Sequence, residues 1–133
     1  LSDQNINANK VSATPLKVLV VEDNMLNQMV IKKLLSTDNK FTMVIANNGE
    51  EALKLLKHSN FDVILMDLQM PVMDGYDASS ELRKQGLKTP IVALTASVML
   101  DVGDKVFSCG MNDYITKPFD PDDLYNKIKL QMG

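Results

Sequence analysis

The chain has 133 residues, 45% apolar and 23% charged, an ordinary balance for one globular domain able to bury its own core. Lys and Arg number 14 against 17 Asp and Glu, a formal charge of −3, which excludes the basic footprint of sequence-independent nucleic-acid binding. The single cysteine, Cys109, excludes an internal disulfide framework, no apolar run reaches the roughly 18 residues of a membrane span, and the polar start is unlike a signal peptide, so a cytoplasmic domain is expected.

Residues 1–15, LSDQNINANKVSATP, are polar and aperiodic and read as a linker or tail, with the folded domain expected over residues 16–133. From Lys17 onward, short apolar runs alternate with helical patterns. KVLVV (17–21), FTMVI (41–45), FDVILM (61–66), PIVAL (90–94) and DYIT (113–116) are strand-like. Three of them are almost continuously apolar, as strands covered on both faces should be.

The intervening helices have readable ends. Leu26, Met29, Val30 and Leu34 predict the apolar face of the first. Asn48 with Glu51 three residues on predicts an N-cap ahead of Ala52, Leu55 and Leu56. A third helix is expected to start after Asp74-Gly75 and to close at Gly86. Met99 to Ser108, interrupted by Gly103, carries the poorest helical pattern. Asp120-Pro121-Asp122-Asp123 combines an Asp cap, Pro in the first turn and early carboxylates, followed by Leu124 and Ile128. Five strand–helix repeats imply an α/β fold of flavodoxin-like type: a doubly wound, five-stranded parallel sheet in the order 2-1-3-4-5. Ligands of such sheets bind outside the carboxyl ends of the strands.

The residues just past each strand are therefore informative. Glu22 and Asp23 come after the first, Asp67 after the third, Thr95 after the fourth and Lys117 after the fifth. The second leads into uncharged Ala46-Asn47-Asn48, and in this order it is the edge strand. Taken singly, Asp23 and Thr95 read as helix caps and Lys117 as a surface lysine. Jointly they fall on one rim, where three carboxylates repel one another and invite a divalent cation; an all-oxygen set suits Mg²⁺ or Mn²⁺. Three carboxylates and one lysine leave a formal −2 that such a cation cancels, so the rim can accept a phosphoryl group, its oxygens met by metal, Lys117 and the Thr95 hydroxyl. Asp67, central in the rim and preceding a loop that Pro71 could stiffen, is the natural attacking carboxylate.

The segments Val20-Val21-Glu22-Asp23-Asn24, Met66-Asp67-Leu68-Gln69-Met70-Pro71-Val72-Met73-Asp74-Gly75, Ala93-Leu94-Thr95-Ala96 and Lys117-Pro118-Phe119 resemble those of response-regulator receiver domains, over about residues 17–131. The first two are also similar to receivers attached to hybrid sensor histidine kinases. The resemblance implies a two-component phosphorelay protein with Asp67 as phosphoacceptor. It implies Mg²⁺ ligation by Asp23, Asp67 and the Gln69 backbone carbonyl, with Glu22 acting through water. It further implies pairing of Lys117 with the phosphoryl group, inward turning of Thr95, Tyr114 as an aromatic switch, and a cis Lys117-Pro118 bond. The implied donor is a histidine kinase or histidine phosphotransfer domain, and the implied output is a changed surface of the fourth helix, fifth strand and fifth helix. Such a module is a phosphoacceptor switch rather than a turnover enzyme, although its parent may be a kinase; a homodimer is compatible with it, and the output partner is unnamed.

The alternative is a haloacid-dehalogenase-like phosphatase, which also uses an Asp nucleophile and Mg²⁺. Those enzymes carry a second Asp two residues on as acid/base; here that position is Gln69. A flavodoxin-type cofactor site is disfavoured because Glu22-Asp23 repel phosphate, and a silent docking domain because the rim is complete. His58, the one histidine, sits where it meets a helix C-terminus rather than as an internal donor, and no nucleotide-binding loop is present. The nine methionines read as core filler and Cys109 as a buried, inert thiol.

Overall fold

The structure is a computed structural model that describes residues 15–36, 40–70, 73–96 and 102–132. Five strands, β1 (Leu16–Val21), β2 (Phe41–Ala46), β3 (Val63–Asp67), β4 (Ile91–Thr95) and β5 (Asp113–Thr116), pair in parallel in the order β2-β1-β3-β4-β5. The helices are α1 (Met25–Leu35), α2 (Gly49–His58), α3 (Gly75–Lys84), α4 (Val102–Ser108) and α5 (Pro121–Gln131). This is the doubly wound sheet that the alternating pattern predicts.

The two-residue repeat of a strand divides the apolar side chains between two cores. Leu19, Val21, Ile64, Met66, Ile91 and Ala93 meet Ala52 of α2, Ala78 and Leu82 of α3, and Val106 of α4. Val18, Val20, Val63, Leu65, Val92, Leu94 and Ile115 meet Ile31 and Leu35 of α1 and Leu124 and Ile128 of α5. Central strands β3 and β4 are buried at every position, which explains their unbroken apolar runs.

The expected caps form. Asn48 Oδ1 accepts from the Glu51 amide at 2.8 Å, and Asp74 and Asp120 accept from the Asp77 and Asp122 amides at 2.9 and 3.0 Å. Gly86 follows α3 with φ 90. One expectation is corrected. In α1, Leu26 and Met29 are 72 and 59% exposed and Val30 is also exposed, whereas Ile31 and Leu35 are buried, with Leu34 packed against the same core. The helix is apolar on two sides, and the sheet takes the Ile31–Leu35 side. The tail up to residue 14, Pro71, and residues 99–101 of the poorly patterned helix lie outside the described residues.

Candidate active site

Parallel register brings the rim together. Val21 pairs with Met66, Asp67 with Leu94, and Thr95 with Thr116, so the strand ends stand side by side. Hydrogen bonding continues one step beyond the strands: the Glu22 amide donates to Ala46 O (3.0 Å), Leu68 to Leu94 O (3.1 Å) and Lys117 to Thr95 O (2.7 Å). Glu22, Lys117 and the residue after Asp67 are thus held by backbone where the chain leaves the sheet. Asp67 and Thr95 are the last residues of their strands rather than the first after them, and are only 4 and 5% exposed. Asp74-Gly75 also gains a reason. A Cβ on Gly75 would lie 2.3 Å from the Asp67 carbonyl oxygen, so only glycine lets α3 begin directly against the Asp67 backbone.

Glu22, Asp23, Asp67, Gln69, Thr95 and Lys117 all line one cleft of about 680 Å³. Glu22, Asp23 and Asp67 each present a carboxylate oxygen, all within 4.8 Å of one another. The Lys117 ammonium lies 3.1 Å from Glu22 Oε1 and 3.4 Å from Asp67 Oδ1. The Gln69 amide donates to Asp67 Oδ1 at 3.2 Å, and the Asn24 amide to Glu22 Oε2 at 3.1 Å. Burial pushes the Asp67 carboxyl up to about 7; the hydrogen bond and charge of Glu22 push the same way, against the Gln69 amide and Lys117. Burial also pushes Glu22 upward, but its hydrogen bonds with Asp67, the Asn24 amide and Lys117 prevail and hold it below the ordinary carboxylate value. The two acids titrate as a coupled pair, Asp67 the one pushed up and Glu22 the one held down.

The donor set fits a hard cation. Glu22 Oε1 is sealed from solvent and, among the described residues, has no partner of hydrogen-bond geometry apart from the nearby Lys117 ammonium. Three carboxylates outnumber the two lysines of the cleft, Lys117 and Lys105, so negative charge stays in excess, and every candidate ligand atom is oxygen, as Mg²⁺ prefers.

The remaining expected residues are placed around this cleft. Lys117-Pro118 is cis. Tyr114 lies on β5, half-buried, with the Lys127 ammonium 5.5 Å from its ring centre; it does not line the cleft. His58 is exposed at the end of α2. Cys109 is half-buried, its Sγ donates to Val106 O at 3.2 Å, and burial pushes the thiol up, consistent with an inert group. Gln69 is exposed at the cleft, and its amide cannot serve as the acid that a dehalogenase-like phosphatase needs. Sequence reasoning missed Lys105 of α4 and Tyr76 of α3, which also line the cleft, and Gln28, which bonds the Glu22 backbone. No periodic or charge signal marks them; only the assembled fold does.

The family description "Response regulator receiver domain" matches residues 18–129. Hybrid signal transduction histidine kinase I of Dictyostelium discoideum is 41% identical over 127 residues, 89% of this chain but only 7% of the kinase. The receiver domain of sensor histidine kinase PA1611 from Pseudomonas aeruginosa PAO1, with a magnesium ion coordinated in its active site cleft, is 34% identical with a TM-score of 0.82, over 90% of this chain and 99% of that one. The receiver domain of Ssk1 from Saccharomyces cerevisiae, solved with the histidine phosphotransfer protein Ypd1, gives 35% identity and a TM-score of 0.77 over 86% of this chain and 87% of that one. The strand order, the acidic rim and these matches agree: the chain belongs to the response regulator receiver family.

Proposed function

We propose that residues 16–133 act as a phosphorelay receiver that takes a phosphoryl group from a phosphohistidine onto Asp67, with residues 1–15 as a linker. The observation that carries this reading is a nearly buried Asp67 at a strand end, 3.4 Å from the Lys117 ammonium and clustered with two further carboxylates. An Asp67 oxygen attacks phosphorus. The donor P–N bond breaks, and its electron pair returns to the imidazole nitrogen, which takes up a proton from solvent. Asp23, Asp67 and the Gln69 carbonyl are the proposed ligands of Mg²⁺ or Mn²⁺, with Glu22 as an outer partner. Bound there, the cation supplies neutralisation for the phosphoryl oxygens. Lys117 then moves its pairing from the carboxylates to the phosphoryl group.

The acyl phosphate adds roughly one negative charge. The Thr95 hydroxyl turns toward it, Tyr114 moves into the vacated space, and the α4–β5–α5 surface changes for an output partner. The module is thus a switch, not a turnover enzyme. Its donor is a histidine phosphotransfer domain or histidine kinase, as the Ssk1–Ypd1 complex supports. A cytoplasmic hybrid histidine kinase is the proposed parent, on the strength of the Dictyostelium relative. Met25 and Leu26 of α1 are 73 and 72% exposed, and Met25 also lines the cleft, which supports α1 as the landing surface for the donor.

Acetyl phosphate with Mg²⁺ should add one phosphoryl group to the wild type, read by mass spectrometry, and none to Asp67→Asn. Equal labelling of the two would overturn the assignment.

A further inference from the structure

We infer that Gln28 and Asn47 are positioning residues that hold the Glu22-Asp23 loop in its cation-binding shape, a role that rests on the functional reading above. Gln28 lies in α1, and its Nε2 donates to the Glu22 carbonyl at 2.5 Å and to Asn47 Oδ1 at 2.9 Å. Those two bonds use both hydrogens of the amide nitrogen. Asn47 lies just beyond β2, the edge strand, whose last residue, Ala46, accepts from the Glu22 amide. The Asn47 amide and Nδ2 both donate to Glu51 Oε1, at 3.1 and 3.2 Å. Glu51 in turn is fixed in the first turn of α2, where its amide donates to Asn48 Oδ1 at 2.8 Å. A chain of bonds therefore runs from α2 through Asn47 and Gln28 to the Glu22 backbone.

The chain has one direction. The Glu22 carbonyl only accepts and the Glu51 carboxylate only accepts, so Gln28 must offer Nε2 to Glu22, and Asn47 must offer Nδ2 to Glu51 and Oδ1 to Gln28. Reversing either amide breaks a bond at each of its ends. Its endpoint matters because the Glu22 carbonyl belongs to the planar peptide that joins Glu22 to Asp23. Holding that oxygen sets the direction in which Asp23 leaves the loop. Asp23 is exposed and faces two like charges within 4.8 Å, so without a tether repulsion favours its outward rotation. The edge-strand loop thereby serves the site without contributing a ligand.

The test measures Mg²⁺ affinity by calorimetry in wild type, Gln28→Met, Asn47→Ala and the double variant, alongside urea unfolding of each in EDTA. Met keeps the length of Gln and removes both donors. Outer partners of metal ligands typically contribute 10- to 100-fold in affinity, so Gln28→Met should bind Mg²⁺ about tenfold more weakly, Asn47→Ala less so. Because Asn47 acts through Gln28, the double variant should be no worse than Gln28→Met alone. A merely structural role would lower the metal-free stability and leave affinity alone. Gln28→Met binding within twofold of wild type, or fully additive losses in the double variant, would overturn the proposal while the wild type's labelling at Asp67 still stood. A wild type that bound no Mg²⁺ would overturn the functional reading and this proposal together. Should Gln28→Met fail to fold, Asn47→Ala at an exposed position decides: unchanged Mg²⁺ affinity there counts against the chain of bonds.

Discussion

The two ends of the sheet treat charge in opposite ways. At the carboxyl end, carboxylate oxygens of Glu22, Asp23 and Asp67 crowd within 4.8 Å of one another beside Lys117, and among the described residues the sealed Glu22 Oε1 has no partner besides that ammonium. At the amino end, the half-buried Arg83 guanidinium makes four hydrogen bonds with its five N–H donors. Its Nε donates to Gly110 O at 2.8 Å, Nη1 to Leu87 O and Thr89 O at 2.9 Å each, and Nη2 to Asn112 Oδ1 at 2.9 Å. Asn112 is itself locked to β4: its Oδ1 accepts from the Ile91 amide at 2.9 Å and its amide donates to Ile91 O at 2.7 Å. Gly110, at φ 95, leaves the space where a Cβ would meet Arg83 Cγ at 2.5 Å. A cation met by neutral oxygens from two loops, one before β4 and one before β5, holds the scaffold together. A surplus of anions with too few donors is held in readiness for something from outside.

The largest effect should come from breaking the amino end. Arg83→Met strands the carbonyls of Gly110, Leu87 and Thr89 and half of the Asn112 interaction. Orphaned acceptors in partly buried sites predict a loss of about 3 kcal/mol in urea unfolding. Mg²⁺ affinity of the folded variant should stay within about twofold of wild type, since sites without shared partners act independently. A matching collapse of Mg²⁺ binding would mean that the two ends are not separate regions.

The contrast was only half legible in the sequence. Acid after strands one and three and lysine after strand five are local facts, and alternation of strand and helix places them on one rim. Asn48, Asp74 and Asp120 announced their helices because capping is also local. The Arg83 clamp joins groups 27 and 29 residues apart, and the Gln28–Asn47 bond spans 19, so neither has a periodic signature. The face of α1 failed differently. Leu26, Met29 and Val30 obey helical spacing as well as Ile31 and Leu35 do, and only the position of the sheet chooses between them.

A smaller effect of opposite sign is expected when charge is removed from the crowded end. In metal-free protein Asp67 is raised to about 7 from an ordinary 3.8. Between those values the native state keeps a proton that the unfolded chain has lost. The contribution of Asp67 to stability is therefore full below about 4 and is lost as pH rises through about 7. Glu22, held below its ordinary value, slopes the other way, its contribution fading only as the solution becomes acidic. Asp67→Asn fixes the neutral form and isolates the first slope. In EDTA its stability relative to wild type should improve by about 1–3 kcal/mol between pH 5 and pH 8, less than the full shift implies because the two acids titrate together. A constant difference between the two pH values would show that Asp67 is not strained by its neighbours.

The smallest effect lies on the flank between the two ends. Lys127 of α5 pairs with Asp113 at 3.0 Å and sits 5.5 Å from the Tyr114 ring centre. Both contacts are partly solvated, so Lys127→Met should change stability by only about 0.5 kcal/mol and leave Mg²⁺ affinity unchanged. Its consequence should appear instead in Tyr114, whose ring also neighbours Gly103 of α4. If the ammonium favours the present ring position, withdrawing about 0.5 kcal/mol shifts the ratio of two ring positions roughly twofold. The Tyr114 ring resonances of the unphosphorylated variant should then move part of the way toward those of wild type with beryllofluoride, a mimic of the phosphoryl group. The direction is set by which position the cation can reach: Lys127 is anchored by Asp113 on the strand itself, so it can favour only the ring that stays beside it. Resonances that did not move, or moved away from the beryllofluoride form, would separate Tyr114 from this flank and leave Thr95 alone to carry the signal from the crowded end.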